Sequence, residues 1–524
     1  MTRARVLIAT ALLALLFGGL GRLPLIDPDE GRYARTAQEM IQRGDLVVPY
    51  FEGAPRLKKP VLFYWLEIVA FTLLGETETA ARLPSALAAA GTLVWLYLFA
   101  RPRMGESVAL LSCAILATTP LFFAMARTST TDMTLAFFVF GATASLYAGL
   151  VEPLRPIRHL VAGGLCLGLG VLTKGPVALL FPALGLTAAL AARRRAPITV
   201  AGRVTAVGWI VVAVVVPWLA LLFHRVGFGE VLEIWRRETL ERFEGGLDHP
   251  ESPLYYLATS PLTFLPWSAF VPFAFVSAAR RLKRGEGLLP LLLAWIGGAF
   301  VFFSLGRGKL DSYLLPLTPA VAILVAITIA DGGRIAGAAR WGARMLVLLA
   351  AALLLPVKLG RSLQDHAAAL LILSLVAGAA AGMVASLAWA GKERLVPAAL
   401  AAVAGAALLG AALLVPEGQA ESRSARALVR EAGLAATGDR VFAHRLRHPS
   451  LDFYLARTAT FTPSRHLLLR ALEGDAPSAV VLEESRRDVV LPLLTRGFRV
   501  AARSGGRIVM RRPPPPPPDP VKAS

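Results

Sequence analysis

Between Asp27 and Ala34 the chain reads Asp-Pro-Asp-Glu-Gly-Arg-Tyr-Ala. Three carboxylates, an arginine and a tyrosine crowd into a short stretch that follows the first long apolar segment. A loop that only reverses the chain favours Gly, Ser and Asn. Acidic side chains held at a membrane surface are costly unless they pair or act, so this stretch is read as a functional site. A carboxylate beside cations suits general-base work or the orientation of a nucleophile, and Asp29 is the first candidate. A second reading makes Asp29 the N-cap of a helix running through Tyr33, Ala37 and Met40, with Glu30 favourable in its first turn. The two readings are compatible, because a capping Asp is also rigidly held.

Other polar clusters interrupt the apolar sequence. They are Arg56 with Lys58-Lys59-Pro60, Arg127 to Asp132, Thr173-Lys174-Gly175-Pro176, Glu238 to Arg242, and Arg307-Gly308-Lys309-Leu310-Asp311. Arg binds phosphate as a bidentate fork and Lys binds it as a point charge, so such clusters suit a phosphate or pyrophosphate. Taken singly, each cation is explained by a long side chain snorkelling from a helix end. Taken together, they describe one outward-facing cavity.

The elements that must hold these residues are membrane helices. Of 524 residues, 56% are hydrophobic, only 17% are charged, and mean hydropathy is +0.60. Apolar runs long enough to cross a bilayer lie near 5–21, 79–100, 106–124, 133–150, 159–173, 177–192, 204–223, 259–278, 288–305, 313–330, 345–357, 367–390 and 396–416,. This predicts an α-helical polytopic membrane protein with about thirteen transmembrane helices. The net charge of +20 reflects basic residues concentrated on alternate loops by the positive-inside rule, not a nucleic-acid surface. The N-terminus is then cytoplasmic and its first segment an uncleaved helix. Cys113 and Cys166 both lie within apolar runs, which excludes a disulfide framework and a thiolate metal site.

Residues 1–416 read as the transmembrane domain, with long outer loops at 22–78 and 224–258. The first loop carries a short helix over 30–43 and an apolar, aromatic helix over 60–74 that suits the interface plane. From 417 to 512 strand patterns at 440–443, 458–461, 479–482 and 507–510 alternate with helical ones, predicting a small, soluble, extracytoplasmic α/β domain,. Residues 513–524, with six consecutive prolines, read as a disordered tail,.

The ordered set Pro28-Asp29-Glu30-x-Arg32-Tyr33-Ala34, Gly44-Asp45, Lys59-Pro60 with Tyr64-Trp65, Thr173-Lys174-Gly175, Arg242-Phe243, Pro266-Trp267 and Gly308-Lys309-Leu310-x-x-Tyr313 resembles the lipid A aminoarabinose transferases. These are C-type glycosyltransferases related to the protein O-mannosyltransferases, and the likeness runs from residue 5 to about 320. The resemblance implies a sugar donor anchored to undecaprenyl phosphate and a catalytic first-loop Asp, here Asp29. It places Lys59 and Asp132 with the catalytic group. It puts Arg32 and Tyr33 on motif positions that face the donor phosphate or the Asp, and the outward cation clusters add Arg242, Arg307 and Lys309 as donor-phosphate contacts, with Glu30, Lys58, Arg127 and Lys174 as further candidates. Two positions depart from the family. Lys58 stands where the family has Glu, and Thr239 where it has His. Those family side chains are associated with a bound metal, and neither Lys nor Thr is a zinc ligand of the usual kinds. The expectation is a metal-free, cofactor-free enzyme of the bacterial inner membrane acting on an envelope lipid, glycan or protein. The alternative is a transporter or lipid flippase, which charges within spans and inverted repeats would favour.

Overall fold

The computed structural model describes residues 3–152, 156–193, 197–237, 251–285, 287–331, 344, 347, 378–387, 389–392, 395–414, 417–474 and 476–512. It divides into two compact units. The first contains the described parts of Met1–Gly18, Leu57–Phe63 and Leu83–Leu413; the second contains Gly19–Arg56, Tyr64–Arg82 and the described part of Leu414–Ser524. The first-loop helix thus groups with the C-terminal segment, where the sequence reading divided the chain at 416.

The first unit is helical. Among the described residues, six helices are long and apolar enough to cross a membrane, or up to eight if two bent pairs each count as one span. The bent pairs are Glu106–Ala117 with Pro120–Ala126, at 69°, and Tyr255–Thr263 with Trp267–Leu282, at 115°. Val177–Ala192 and Leu289–Leu305 are apolar but shorter. The expected span at 345–357 lies outside the described residues except for Val347, and that at 367–390 lies partly outside.

Small residues set the helix spacing, as membrane packing requires where apolar burial gives little drive. A Cβ on Gly164 or Gly168 of helix Pro156–Lys174 would fall 2.9 or 2.8 Å from Ile210 or Val214 of helix Pro197–Val226. These two glycines, one turn apart, let the backbones meet. Helix Thr131–Leu146 is nearly all buried and runs into a π turn at Tyr147–Val151.

The second unit holds a hairpin, β1 (Tyr50–Phe51) with β2 (Ala54–Pro55), and a five-stranded sheet. The sheet strands are β3 (Arg440–His444), β4 (Thr460–Thr462), β5 (Ser478–Glu483), β6 (Arg499–Ser504) and β7 (Arg507–Arg512), in the order β4-β3-β5-β7-β6. β3 lies parallel to β4 and β5, while β7 is antiparallel to β5 and β6. Both faces of the sheet are covered. Val441, Ala443, Ala479 and Val481 belong to one core, and Phe442, Val480 and Leu482 to the other. That burial on both sides is why β5 reads as a continuous apolar run.

Candidate functional site

In the second unit, helix Asp29–Arg43 begins at the acidic stretch and ends at Gly44, whose left-handed conformation closes it,. Pro28 occupies the N-cap position and no side chain caps the helix. Asp29 is instead the first helical residue. Its side chain is 59% exposed and meets Arg32, at 3.4 Å, across one turn, and its charge also acts on Arg56. The capping role is therefore vacant, and the Asp29 carboxylate stands open beside a cation.

Its two acidic neighbours are tied down. Glu30 is buried and receives Arg82 as a two-pronged pair, Nε to Oε1 at 2.8 Å and Nη2 to Oε2 at 2.7 Å, with the Ile26 amide at 2.9 Å. Arg82 also donates to the carbonyls of Leu20, Leu23 and Pro24. Asp27 accepts from the Ser450 amide at 2.8 Å, the Ser450 hydroxyl at 2.5 Å and His448 Nδ1 at 3.0 Å. Gly31 permits this contact, since a Cβ there would fall 2.4 Å from the Ser450 nitrogen. Tyr33 is buried with its ring 5.8 Å from that of Tyr64, and the Arg56 guanidinium lies 5.8 Å from the Tyr33 ring. Arg56 belonged to the expected cation clusters; Arg82 and the anchoring of Asp27 by Ser450 and His448 were not expected at the site.

In the first unit, Lys58 is exposed and Lys59 half-buried on the approach to helix Leu62–Leu74. Trp235 fastens this approach by donating to the Leu57 carbonyl at 2.9 Å. Asp132, in the first turn of its helix, receives Lys174 Nζ at 2.7 Å, with both side chains 13% exposed. Lys174 also lies 5.0 Å from the Tyr313 ring. Asp132 is thus neutralised, and it holds Lys174 rather than standing open as a base. Arg127 donates to the carbonyls of Leu15, Leu16 and Gly18, closing the end of helix Arg3–Phe17. Lys309 is 2% exposed and donates to the carbonyls of Glu251, at 3.1 Å, and Gly306. Both Arg127 and Lys309 secure backbone ends, while Arg307 is exposed. Arg242 and Thr239 lie outside the described residues. No group of three or more His, Cys, Asp or Glu suited to a metal ion occurs among the described residues. A cavity of about 610 Å³, lined by Arg103, Glu152, Arg193 and Arg281, contains none of the expected residues.

Residues 58–221 match the family model described as dolichyl-phosphate-mannose-protein mannosyltransferase. The undecaprenyl phosphate-alpha-4-amino-4-deoxy-L-arabinose arabinosyl transferases of Aeromonas salmonicida and Yersinia enterocolitica are 32% and 30% identical over 60% and 61% of the chain. The matches span 57% and 59% of those relatives' own lengths. Among solved structures, ArnT from Cupriavidus metallidurans bound to undecaprenyl phosphate aligns with TM-score 0.81 at 22% identity, covering 98% of both chains. The oligosaccharyltransferase AglB from Archaeoglobus fulgidus aligns with TM-score 0.54 at 14% identity, over 95% of this chain and 73% of that one. In sequence and in fold the chain resembles the C-type glycosyltransferases of the aminoarabinose-transferase and protein O-mannosyltransferase group.

Proposed function

We propose that this chain is an integral-membrane glycosyltransferase moving a sugar from a polyprenyl-phosphate donor to an acceptor of the bacterial envelope: lipid A, a glycan or a protein. Support comes from relatives named for undecaprenyl-phosphate-linked aminoarabinose transfer and from a fold shared with a protein bound to undecaprenyl phosphate. The observation that carries the proposal is Asp29, an open carboxylate on the first turn of a helix that it does not cap.

The bond that breaks joins the anomeric carbon to a phosphate oxygen. Charge accumulates on that oxygen as the polyprenyl phosphate leaves. Lys59, Arg32 and Arg307 supply positive charge there, with Arg242 and Tyr33 as further contacts to the donor. A preorganised cation at developing charge is worth about 3–4 kcal/mol. Asp29 orients the acceptor hydroxyl and takes its proton as the new glycosidic bond forms. An acceptor phosphate needs only the orientation. Asp132 serves as a positioning group for Lys174. No metal takes part, because Lys58 and Thr239 stand at the two departing positions,. The chain spans the membrane about thirteen times, with 22–78, 224–258 and 417–524 outside the cytoplasm.

The test is sugar transfer from synthetic undecaprenyl-phosphate sugars by purified protein in lipid nanodiscs, assayed with and without a strong chelator. Transfer should survive chelation. Lys59→Ala should lose about a hundred- to a thousandfold in turnover. Failure of the wild-type chain to release undecaprenyl phosphate from any such donor refutes the reading.

A further inference from the structure

The first unit holds the cavity of about 610 Å³ that none of the expected site residues lines. Helices Glu78–Met104, Val177–Ala192, Val271–Leu282 and Thr318–Ala330 end at it, as does the span Thr131–Val151. Asp132 stands at the other end of that span, which has 21 residues and is about 30 Å long,. The guanidinium groups of Arg103, Arg193 and Arg281 line the cavity, against the carboxylates of Glu152 and Asp331. Arg103 is committed. It donates to both Glu152 oxygens, at 3.2 and 2.5 Å, and to the Phe99 carbonyl at 2.6 Å. Arg281 Nη1 lies 3.8 Å from Asp331. Arg193 is the cation left over: it is exposed and makes no ion pair among the described residues. Its Nη2 lies over Gly287, 2.6 Å from where a Cβ would stand. Tyr147 holds that turn by donating to the Gly287 carbonyl at 3.1 Å.

The charge of the walls and their depth select the ligand. A cation at a helix C-terminus is favoured by the helix dipole, which explains each arginine singly. It does not explain three guanidinium groups around one cavity, with one positive charge in excess. A guanidinium meets a phosphate as a fork of two parallel hydrogen bonds, and a phosphodiester carries the one negative charge that balances these walls. A span about 30 Å long matches the hydrocarbon core of a bilayer, so its end lies level with the lipid phosphates. Met104, Val108, Leu289 and Ile327 set apolar walls beside the charged ones, which suits a lipid better than a free anion. Arg280, Lys283 and Arg284, all exposed, add positive charge at the same helix end. On the proposed topology this is the cytoplasmic end, where basic pockets between membrane helices suit anionic headgroups.

We propose that this cavity binds the phosphate of an anionic bilayer phospholipid, at the membrane face opposite Asp132, with Arg193 as the main contact and Arg281 beside it. The test uses full-length protein in detergent and counts bound lipid by native mass spectrometry. The probes are phosphatidylglycerol, phosphatidylcholine of the same acyl chains, and inorganic phosphate. Wild-type protein should retain one phosphatidylglycerol in preference to phosphatidylcholine. Arg193→Gln should weaken that binding about tenfold, equal to about 1.4 kcal/mol. Asp331→Asn takes a negative charge from the wall and should tighten it. Opposite changes from two substitutions in one cavity separate a binding site from a loss of fold. Phosphatidylglycerol should also raise the melting temperature of the wild-type protein and leave that of Arg193→Gln unmoved. Equal retention of the two lipids overturns the proposal, as does binding that Arg193→Gln leaves unchanged. A ladder of equally held lipids, drawn to basic loops at large, overturns it too. Displacement of the lipid by inorganic phosphate overturns the lipid assignment and makes the site one for a free anion.

Discussion

Asp29 and Asp132 carry the same local signal and meet opposite surroundings. Each lies in the first turn of a helix, where a carboxylate is favoured by the helix dipole,. In the first unit Asp132 is sealed against Lys174, with both side chains 13% exposed. In the second unit the Asp29 carboxylate is 59% exposed beside a loosely held Arg32. Residue type and helix position therefore do not separate a sealed carboxylate from an open one. The partner does, and the partner is set by long-range packing. The acidic stretch repeats the lesson at closer range, since Asp27 and Glu30 flank Asp29 and both are committed to buried partners.

The comparison breaks first at Asp29. Asp29→Asn keeps size and helix preference, and it should lower turnover by about a hundred- to ten-thousandfold while melting temperature holds. If only the helix-end charge mattered, the effect would be about 0.3–1 kcal/mol of stability and turnover would be normal. Steady-state transfer measured beside thermal unfolding separates the two.

Glu30→Gln should do the reverse. Removing one partner of a buried pair leaves Arg82 uncompensated, at a cost of about 3–5 kcal/mol. Folded yield and melting temperature should fall, while turnover per folded molecule stays near the wild-type value. A stable Glu30→Gln protein with lost turnover would move Glu30 into the chemistry.

The Asp132–Lys174 pair sharpens the contrast from the other side. Asp132→Asn should destabilise by about 1–3 kcal/mol, and Lys174→Met in the same chain should recover part of that loss. Coupling of about 0.5–3 kcal/mol in a double-mutant cycle marks the pair as structural. A double variant with wild-type stability and no turnover would return Asp132 to the chemistry.

What the sequence made legible follows the range of the interactions. The helix after the acidic stretch was readable to within a residue, because its left-handed stop at Gly44 is a local signal,. The membrane character was readable from the apolar runs, and the likeness to the aminoarabinose transferases from ordered motifs. Arg82 was not, since it stands 52 residues from Glu30 with nothing in its surroundings to mark the pairing. The same holds for Asp27 and Ser450, 423 residues apart. Arg127 was expected in an outward cavity and instead closes a helix end. One signal was available there: helix Arg3–Phe17 has no basic residue in its last turn, so its carbonyls needed a donor from elsewhere,. The β6 strand, Arg499–Ser504, was missed because it is an edge strand with Ala502 as its one buried residue, and so lacks a period-two apolar pattern,.

The smallest expected effect lies in the C-terminal part of the second unit. Burial pushes the Asp452 carboxyl up to about 7; the Ala459 amide, donating to Oδ1 at 2.8 Å, opposes the rise, and the charge of Glu52 adds to it. The folded state therefore keeps a proton that the unfolded chain releases near its ordinary value of 3.8. The stabilisation from this proton is complete below that value and is lost as pH rises towards 7. Asp452→Asn keeps the oxygen that accepts from Ala459 and removes the titration. Amide exchange across 440–512 should then show a parent chain whose protection declines between pH 4 and 8, and a variant whose protection stays level. At pH 8 the variant should be the more stable, by on the order of 1–3 kcal/mol. At pH 4 the two should coincide. A parent chain that gains protection with rising pH would mean that Asp452 is ionised in the fold, which would leave its buried carboxylate in need of a cation.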